Sequence, residues 1–326
     1  MKAEILQMLR ESGDFVSGQE LCERFAVSRT AVWKSIQQLQ KEGYQIEAVT
    51  RKGYRLEGVP DTVAAAEVES RLRTQWIARP VKYFEQITST NQYAKQMGEE
   101  DAPEGLLVVA DCQTKGRGRS GRSWATPPGK NIAMSLLLRP PLAPERISMV
   151  TLVTGMAVAC ACRKLYALPV QIKWPNDVVI GGKKLCGILT EMSTEITAVS
   201  YIVIGTGINV NMTQFPEELI STATSLVLEL GREVNRAELI ACVMEEFEGF
   251  YQTFLADGDL RSLRGSYNDL LANRDRGVRV LEPGHEYDGT AEGIDDRGQL
   301  LVRLEDGSVN AVYAGEVSVR GIYGYV

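Results

Sequence analysis

Histidine is almost absent from this chain: the only one among 326 residues is His285, near the far C-terminus. That argues against a Ser-His-Asp triad and against a histidine-rich metal site. Chemistry has to run on Lys, Arg, Asp and Asn side chains and on groups that a ligand brings. Long apolar runs are lacking too. The longest stretch, from Ile147 to Cys162, is interrupted by Ser148, Thr151 and Thr154. It is too short to span a bilayer and reads as a buried helix. The opening Met1-Lys2-Ala3-Glu4 runs straight into an amphipathic pattern, so no signal peptide is expected. The six cysteines (Cys22, Cys112, Cys160, Cys162, Cys186 and Cys242) lack the paired spacing of a zinc site and the density of a disulfide scaffold. They read as reduced core residues of a cytoplasmic protein. A strong positive balance is missing as well: the net charge is −6, which excludes a surface coated throughout in nucleic acid. Residues 1–58 hold nine Lys/Arg against eight Asp/Glu, and the remainder 27 against 34. Only the N-terminal part is suited to a phosphate backbone.

What is present is an ordinary soluble composition with 44% apolar and 24% charged residues, enough at this length for two or three domains with well-buried cores. At the N-terminus, Ile5, Leu6 and Leu9 mark one face of a helix. Ser17-Gly18-Gln19-Glu20 is a capping box, and Leu21 and Phe25 share a face behind it. Ala26-Val27 makes a tight turn and Ser28 caps the next helix. There Val32, Ile36 and Leu39 point inward, which sends Arg29, Thr30, Trp33 and Lys34 outward. Tyr44–Val49 and Tyr54–Leu56 alternate like strands around a Thr50-Arg51-Lys52-Gly53 turn. Two short helices, a turn, a basic second helix and a basic hairpin predict a winged helix-turn-helix over residues 1–60. Its expected DNA-contacting residues are Ser28, Arg29, Thr30, Trp33, Lys34, Arg51 and Lys52, with Arg55 a further phosphate contact. The alternative is a helical packing module with a solvated face. Gly58-Val59-Pro60-Asp61 reads as a linker.

The chemistry lies in residues 61–270. An apolar strand, Leu106–Ala110, runs into Asp111-Cys112-Gln113-Thr114-Lys115 and then Gly116-Arg117-Gly118-Arg119-Ser120-Gly121-Arg122-Ser123-Trp124. The three spaced glycines match the dinucleotide fingerprint literally, but that fingerprint opens a helix, and Pro127-Pro128-Gly129 denies one. The segment reads instead as an anion grip, with backbone N–H groups exposed by glycine and forked donors on three arginines. Downstream, Ile172–Ile180 and Lys183–Glu191 are expected to be two strands joined at Gly181-Gly182. Asp177 and Lys184 flank that turn. Lys184 could balance charge on a transferring phosphate, and Asp177 could hold magnesium; a capping aspartate and a solvated lysine are the plainer alternatives. Gly205-Thr206-Gly207 within a strand implies a close approach, with Asn209 a polar contact or a packing residue. Ser89, Thr90 and Asn91 stand at a helix start, where they either cap it or hold a polar ligand. Asn235-Arg236-Ala237-Glu238 opens a further helix whose apolar face belongs to the core. Residues 271–326 contain short alternating strands with turns at Asp296-Arg297-Gly298 and Glu305-Asp306-Gly307, which predicts a small SH3-like β-barrel.

Five motifs occur in order: Ser-Thr-Asn at 89–91, Gln-x-x-Gly-Arg-Gly-Arg-x-Gly-Arg-x-Trp at 113–124, Lys-Trp-Pro-Asn-Asp at 173–177, Lys-Leu-x-Gly-Ile-Leu at 184–189 and Gly-x-Gly-Ile-Asn at 205–209. With the N-terminal helix-turn-helix, the whole chain resembles the bifunctional biotin protein ligases, which are also biotin operon repressors. The resemblance implies an α+β multidomain protein. Its parts would be a winged helix-turn-helix (1–60), a central mixed α/β ligase domain with a class II synthetase-like sheet (61–270) and an SH3-like C-terminal barrel (271–326). It implies ATP-dependent adenylation of biotin, with pyrophosphate released. Transfer to a lysine of the biotin carboxyl carrier protein of acetyl-CoA carboxylase follows.

The residues carried over are Ser89, Thr90, Asn91, Gln113, Gly116, Arg117, Gly118, Arg119, Arg122, Trp124, Lys184, Gly187 and Asn209 for biotin or its adenylate. Lys184, Arg119 and Asp177 are expected to act in catalysis, with Asn176 beside Asp177 near the phosphates. Asp177 is also the expected Mg2+ ligand. Ser120 stands where a related member can carry another arginine. The expected partners are biotin, ATP, the carrier protein and operator DNA, with a homodimer when the adenylate is bound and no membrane. A non-catalytic biotin-sensing repressor and a lipoate-type ligase share much of this pattern.

Overall fold

The computed structural model describes residues 1–195, 198–282, 285–314, 318–321 and 325. The first fifty-eight residues form α1 (Lys2–Ser12), α2 (Gly18–Phe25), α3 (Arg29–Lys41) and the hairpin β1 (Gln45–Val49) and β2 (Gly53–Gly58). Hydroxyls decide where α2 and α3 begin. Ser17 accepts from the Glu20 N–H at 3.0 Å and Ser28 from the Ala31 N–H at 3.2 Å, each meeting a donor that the helix leaves open. Between the two helices the chain reverses at Ala26, which has φ 52°. Ile5, Leu6, Leu9, Leu21, Val32, Ile36 and Leu39 make a core of their own. The hairpin is held to that core at Gly53, where a Cβ would lie 2.0 Å from the Val16 carbonyl oxygen.

A buried carboxylate joins this unit to the next. Glu67, on α4 (Ala65–Glu69), is fully buried. It accepts from Arg10 of α1 at 3.0 and 3.1 Å, from Arg71 at 2.6 Å and from the Tyr44 hydroxyl at 3.0 Å. Burial and this carboxylate push the Tyr44 phenol well above its ordinary range.

The central unit is built on β3 (Val81–Ile87), β4 (Leu107–Gln113), β5 (Ile132–Leu138), β6 (Gln171–Lys173), β7 (Asp177–Ile180), β8 (Lys183–Glu195) and β9 (Ala198–Ile208). They form one sheet in the order β3-β4-β5-β9-β8-β7-β6. Only β3–β4 is parallel. Both faces are covered, which is why β4 and β5 read as continuous apolar runs. Val108 and Leu137 pack under α5 (Thr90–Glu99). Their neighbours Leu107, Val109, Leu136 and Leu138 point the other way, into the main core with α6 (Ile147–Tyr166) and α8 (Arg236–Asp257). α6 is long and apolar enough to cross a membrane, yet 72% of its apolar window is buried inside the fold, as expected of a core helix. A short helix, α7 (Leu226–Leu230), precedes α8.

One expected strand is divided. Ile172–Ile180 is broken by a turn at Trp174-Pro175-Asn176 into β6 and β7, because Pro175 has no N–H to give a ladder. The turn anchors the C-terminal unit. The Trp174 indole donates to the Gly298 carbonyl at 3.0 Å, and its backbone N–H to the Asn273 side chain at 3.0 Å. That unit follows α9 (Arg264–Leu270) and comprises β10 (Arg276–Glu282), β11 (His285–Ile294), β12 (Leu300–Arg303), β13 (Val309–Val312) and β14 (Ser318–Gly321). Its sheet is wholly antiparallel, in the order β13-β12-β11-β10-β14. Residues 315–317 of the last expected strand run lie outside the described residues.

Glu67→Ala strands Arg71 and the partly buried Arg10 without a counter-charge. It is expected to lower the unfolding free energy by about 3 kcal/mol, read from urea denaturation. A loss below about 0.5 kcal/mol, the scale of an ordinary surface change, would show that the junction does not depend on this carboxylate.

Candidate active site and DNA-reading face

The sheet itself lays the floor of a cavity of about 320 Å³. In β9, Gly207 stands opposite Ala133 of β5 and Gly187 of β8, and Gly205 stands opposite Ser135 and Leu189. Both glycines are required for room. A Cβ on Gly205 would lie 2.2 Å from the Asn91 side chain, and one on Gly207 would lie 2.4 Å from the Trp124 indole.

One wall is the start of α5. Ser89 caps it, accepting from the Gln92 N–H at 3.5 Å. The Thr90 N–H and hydroxyl both donate to Gln113 Oε1, at 2.9 and 3.1 Å. Behind them lies Ser135, fully buried, 2.7 Å from the Thr90 hydroxyl and 2.5 Å from Asn91 Oδ1. The Asn91 amide donates to Glu191 at 2.8 Å, and Lys95 pairs with the other oxygen of Glu191 at 3.1 Å. The cap is thus tied into a network that fixes its side chains before any ligand arrives.

The opposite wall is the Gly/Arg segment. It folds back on itself: the Trp124 N–H donates to the Gly116 carbonyl at 2.9 Å, and the Gly118 N–H to the Arg122 carbonyl at 2.7 Å. A single 3-10 turn spans Arg119–Gly121, and no α-helix opens there, in keeping with the rejected dinucleotide reading. Arg119 reaches across to Asn176 Oδ1 at 2.9 Å. Burial lowers its pKa, and the nearby Asp177 charge opposes that shift. The Trp124 indole N–H is buried with no partner among the described residues. The Ser120 side chain lies outside what is described.

At the third side, Lys184 Nζ lies 2.6 Å from Asp177 Oδ1 and 5.7 Å from the Trp124 ring. The Tyr325 hydroxyl donates to Asp177 Oδ2, and Lys173 Nζ sits 3.4 Å from the centre of the Tyr325 ring. Burial, only partly offset by Asp177 and reinforced by Lys184, Arg320 and Arg122, brings Lys173 down to about 8.

The cavity is lined by Ser89, Thr90, Asn91, Gln113, Arg117, Gly118, Arg119, Trp124, Asn176, Lys184 and Gly187, all singled out in the sequence. Four expected residues stand elsewhere. Gly116 is buried beneath Trp124, where a Cβ would lie 2.5 Å from its carbonyl oxygen. Arg122 is exposed. Asp177 is covered by Lys184 and Tyr325. Asn209 is buried, and its amide donates to the Thr224 carbonyl at 3.0 Å. Ser135, Lys95, Glu191 and Tyr325 were missed. The alternation of Gly187, Leu189 and Glu191 along β8 was a usable signal for Glu191.

On the N-terminal unit, Ser28, Arg29, Thr30, Trp33 and Lys34 share an exposed surface of α3, and Arg51 and Lys52 are exposed at the hairpin turn. Trp33 is 50% exposed. Ser28 Oγ is committed to its cap, and Arg29 also bonds Gln19 at 2.8 Å. Arg55 pairs with Glu47 at 2.9 Å and with Glu57 on the surface of the hairpin.

Known proteins share this arrangement. Residues 83–209 match the biotin/lipoate A/B protein ligase family, residues 2–55 an HTH domain and residues 275–320 the biotin protein ligase C-terminal domain. The bifunctional ligase/repressor BirA of Bacillus subtilis is 38% identical over 324 residues, 98% of each chain. The protein of that name from Escherichia coli is 33% identical over 96% of this chain and 95% of its own. The chain belongs to the biotin protein ligase family, in its bifunctional ligase/repressor form. Among solved biotin protein ligases, that of Aquifex aeolicus in complex with biotin and ATP superposes with a TM-score of 0.65 at 29% identity, over 74% of this chain and 98% of that one.

The low pKa of Lys173 gives this ligase site a pH signature. Its folded value lies near 8 and its ordinary value at 10.5, so between those limits the unfolded chain binds the extra proton and stability rises with pH. The stability of wild type relative to Lys173→Met is therefore expected to improve from about pH 7 to about pH 9.5, measured by urea denaturation. A difference that does not change with pH would contradict the assignment.

Proposed function

We propose that this chain adenylates biotin with ATP, transfers the biotinyl group to a lysine of a biotin carboxyl carrier protein, and represses the biotin operon with biotinyl-5′-adenylate as corepressor. The observation that carries the reading is the cavity itself, with a fixed polar cap on one wall and Lys184, Arg117 and Arg119 on the others. A carboxylate and a triphosphate repel one another, and preorganised cations are what lets them meet.

In the first step a biotin carboxylate oxygen attacks the α-phosphorus of ATP, and pyrophosphate leaves. Ser89, Thr90, Asn91 and Gln113 hold the head of biotin, and the glycine floor leaves room for the Trp124 indole to flank it. Lys184 stabilises the charge that gathers on the transferring phosphoryl group. In the second step the carrier's lysine amine attacks the carbonyl carbon of the mixed anhydride. AMP leaves, an amide forms, and the nitrogen loses a proton. Between the steps Gly116–Trp124 keeps water from the anhydride, with Arg119 as its clasp on Asn176.

Among the described residues no three acidic, cysteine or histidine side chains gather to hold a metal. Magnesium therefore fits as an ion brought by the nucleotide, with Asp177 as its protein carboxylate once Tyr325 leaves Oδ2; it would neutralise phosphate charge. Dimerisation on adenylate binding follows the two-fold logic of helix-turn-helix repressors, and the setting is cytoplasmic.

The test uses labelled biotin, ATP and a carrier domain. Wild type is expected to label the carrier, and Lys184→Ala to lose adenylate formation by about a hundredfold or more. Arg119→Gly is expected to release activated biotin onto bystander proteins. No labelled carrier with wild type would overturn the reading, and lipoate in place of biotin as the accepted acid would redirect it. A gel shift of operator DNA that strengthens with biotin and ATP tests the repressor half; an unchanged shift would refute the corepressor role.

A further inference from the structure

Arg236, the first residue of α8, is only 1% exposed, the most buried Lys or Arg among the described residues. A guanidinium there needs full compensation, and it finds it in two carboxylates from distant parts of the chain. Its Nε donates to Asp61 Oδ2 at 2.9 Å and its Nη1 to Asp111 Oδ1 at 2.8 Å. Its backbone N–H donates to the other Asp61 oxygen at 3.0 Å. Nη1 also reaches the Asn131 carbonyl at 3.2 Å.

The positions of these partners matter more than their number. Asp111 lies on β4 two residues before Gln113, at the point where the chain leaves the sheet for the Gly/Arg segment. Its second oxygen accepts from the Gly129 N–H at 2.9 Å, where the chain returns. Asn131 begins the way back into β5, and its amide donates to the Ala125 carbonyl at 3.3 Å, one residue past Trp124. One buried cation therefore grips both feet of the segment. Asp61 belongs to the linker that follows the N-terminal unit, about fifty residues upstream of Asp111 and in neither foot.

We propose that Arg236 is a positioning residue for the Gly116–Trp124 lid, acting through Asp111 and the Gly129–Asn131 return, and that Asp61 supplies half of the counter-charge keeping it in place. A lid that retains a reactive adenylate has to close on one geometry, and free feet would let it close on many. Loosening the cage acts on how long ligand is held more than on the bond-making step, because none of these groups touches the cavity. The inference rests on the adenylation reading above.

The experiment measures KM for biotin, kcat and the dissociation rate of bound adenylate in full-length Asp61→Asn, Asp111→Asn and Arg236→Lys. Each asparagine removes the charge and one of two acceptor oxygens, both of which are in use, but leaves Arg236 in place; these variants remain informative if Arg236→Lys fails to fold. The control is Glu248→Gln, on the same helix but outside the cage, where the carboxylate accepts from the backbone N–H groups of Gln75, Trp76 and Ile77. The cage variants are expected to raise adenylate dissociation and KM about tenfold, with a smaller fall in kcat. Glu248→Gln is expected to lower stability alone. Cage variants that lose stability but retain adenylate as wild type does would make Arg236 a purely structural ion pair. Wild type that forms no adenylate would instead refute the functional reading.

Discussion

Two anions must be brought together and kept dry, and the charge around Asp177 is arranged for that task. Lys184 pairs with it directly at 2.6 Å. Arg122 and Arg320 lie close enough to act on the proton equilibria of Lys173 and Tyr325, and Arg122 on that of Arg119. A triphosphate would meet the positive charge of Lys184 and its basic neighbours, and that attraction strengthens as water is excluded. The histidine-poor composition is consistent with this: the proposed chemistry needs charge compensation more than proton shuttling.

The rest of the fold delivers those groups to one place. β6 and β7 bring Lys173 and Asp177 through a turn locked by Trp174 against Gly298, so the C-terminal sheet is anchored beside these two residues. β8 and β9 bring Lys184 and the glycine floor. β4 ends at Gln113, which closes the α5 cap by accepting from Thr90. The Gly116–Trp124 segment runs between these supports, and Arg236 holds its two ends through Asp111 and Asn131.

Much of this was legible in the sequence, for identifiable reasons. Helix starts at Ser17, Ser28, Ser89 and Asn235 could be read because capping is local. The apolar run Leu106–Ala110 could be read as a strand because its residues are continuous in the sequence. Pro127 and Pro128 excluded a dinucleotide fold without any tertiary information. What escaped was long-range. Asn209 looks like a ligand contact beside two glycines, yet its amide turns to Thr224. Ser135 looks like one more small residue in an apolar strand, yet it supports Thr90 and Asn91. No local pattern signals Tyr325 reaching Asp177, which lies 148 positions away.

As proposed above, Gly116–Trp124 is a lid that orders over activated biotin between feet that do not move. Amide hydrogen exchange on the full-length protein, with and without biotin and ATP, tests this most directly. Amides of Gly116–Trp124 should slow by about tenfold or more when both substrates are present, while Asp111 and Gly129–Asn131 stay protected throughout. Exchange in the lid that ignores the substrates, or feet that open as readily as the lid, would contradict it.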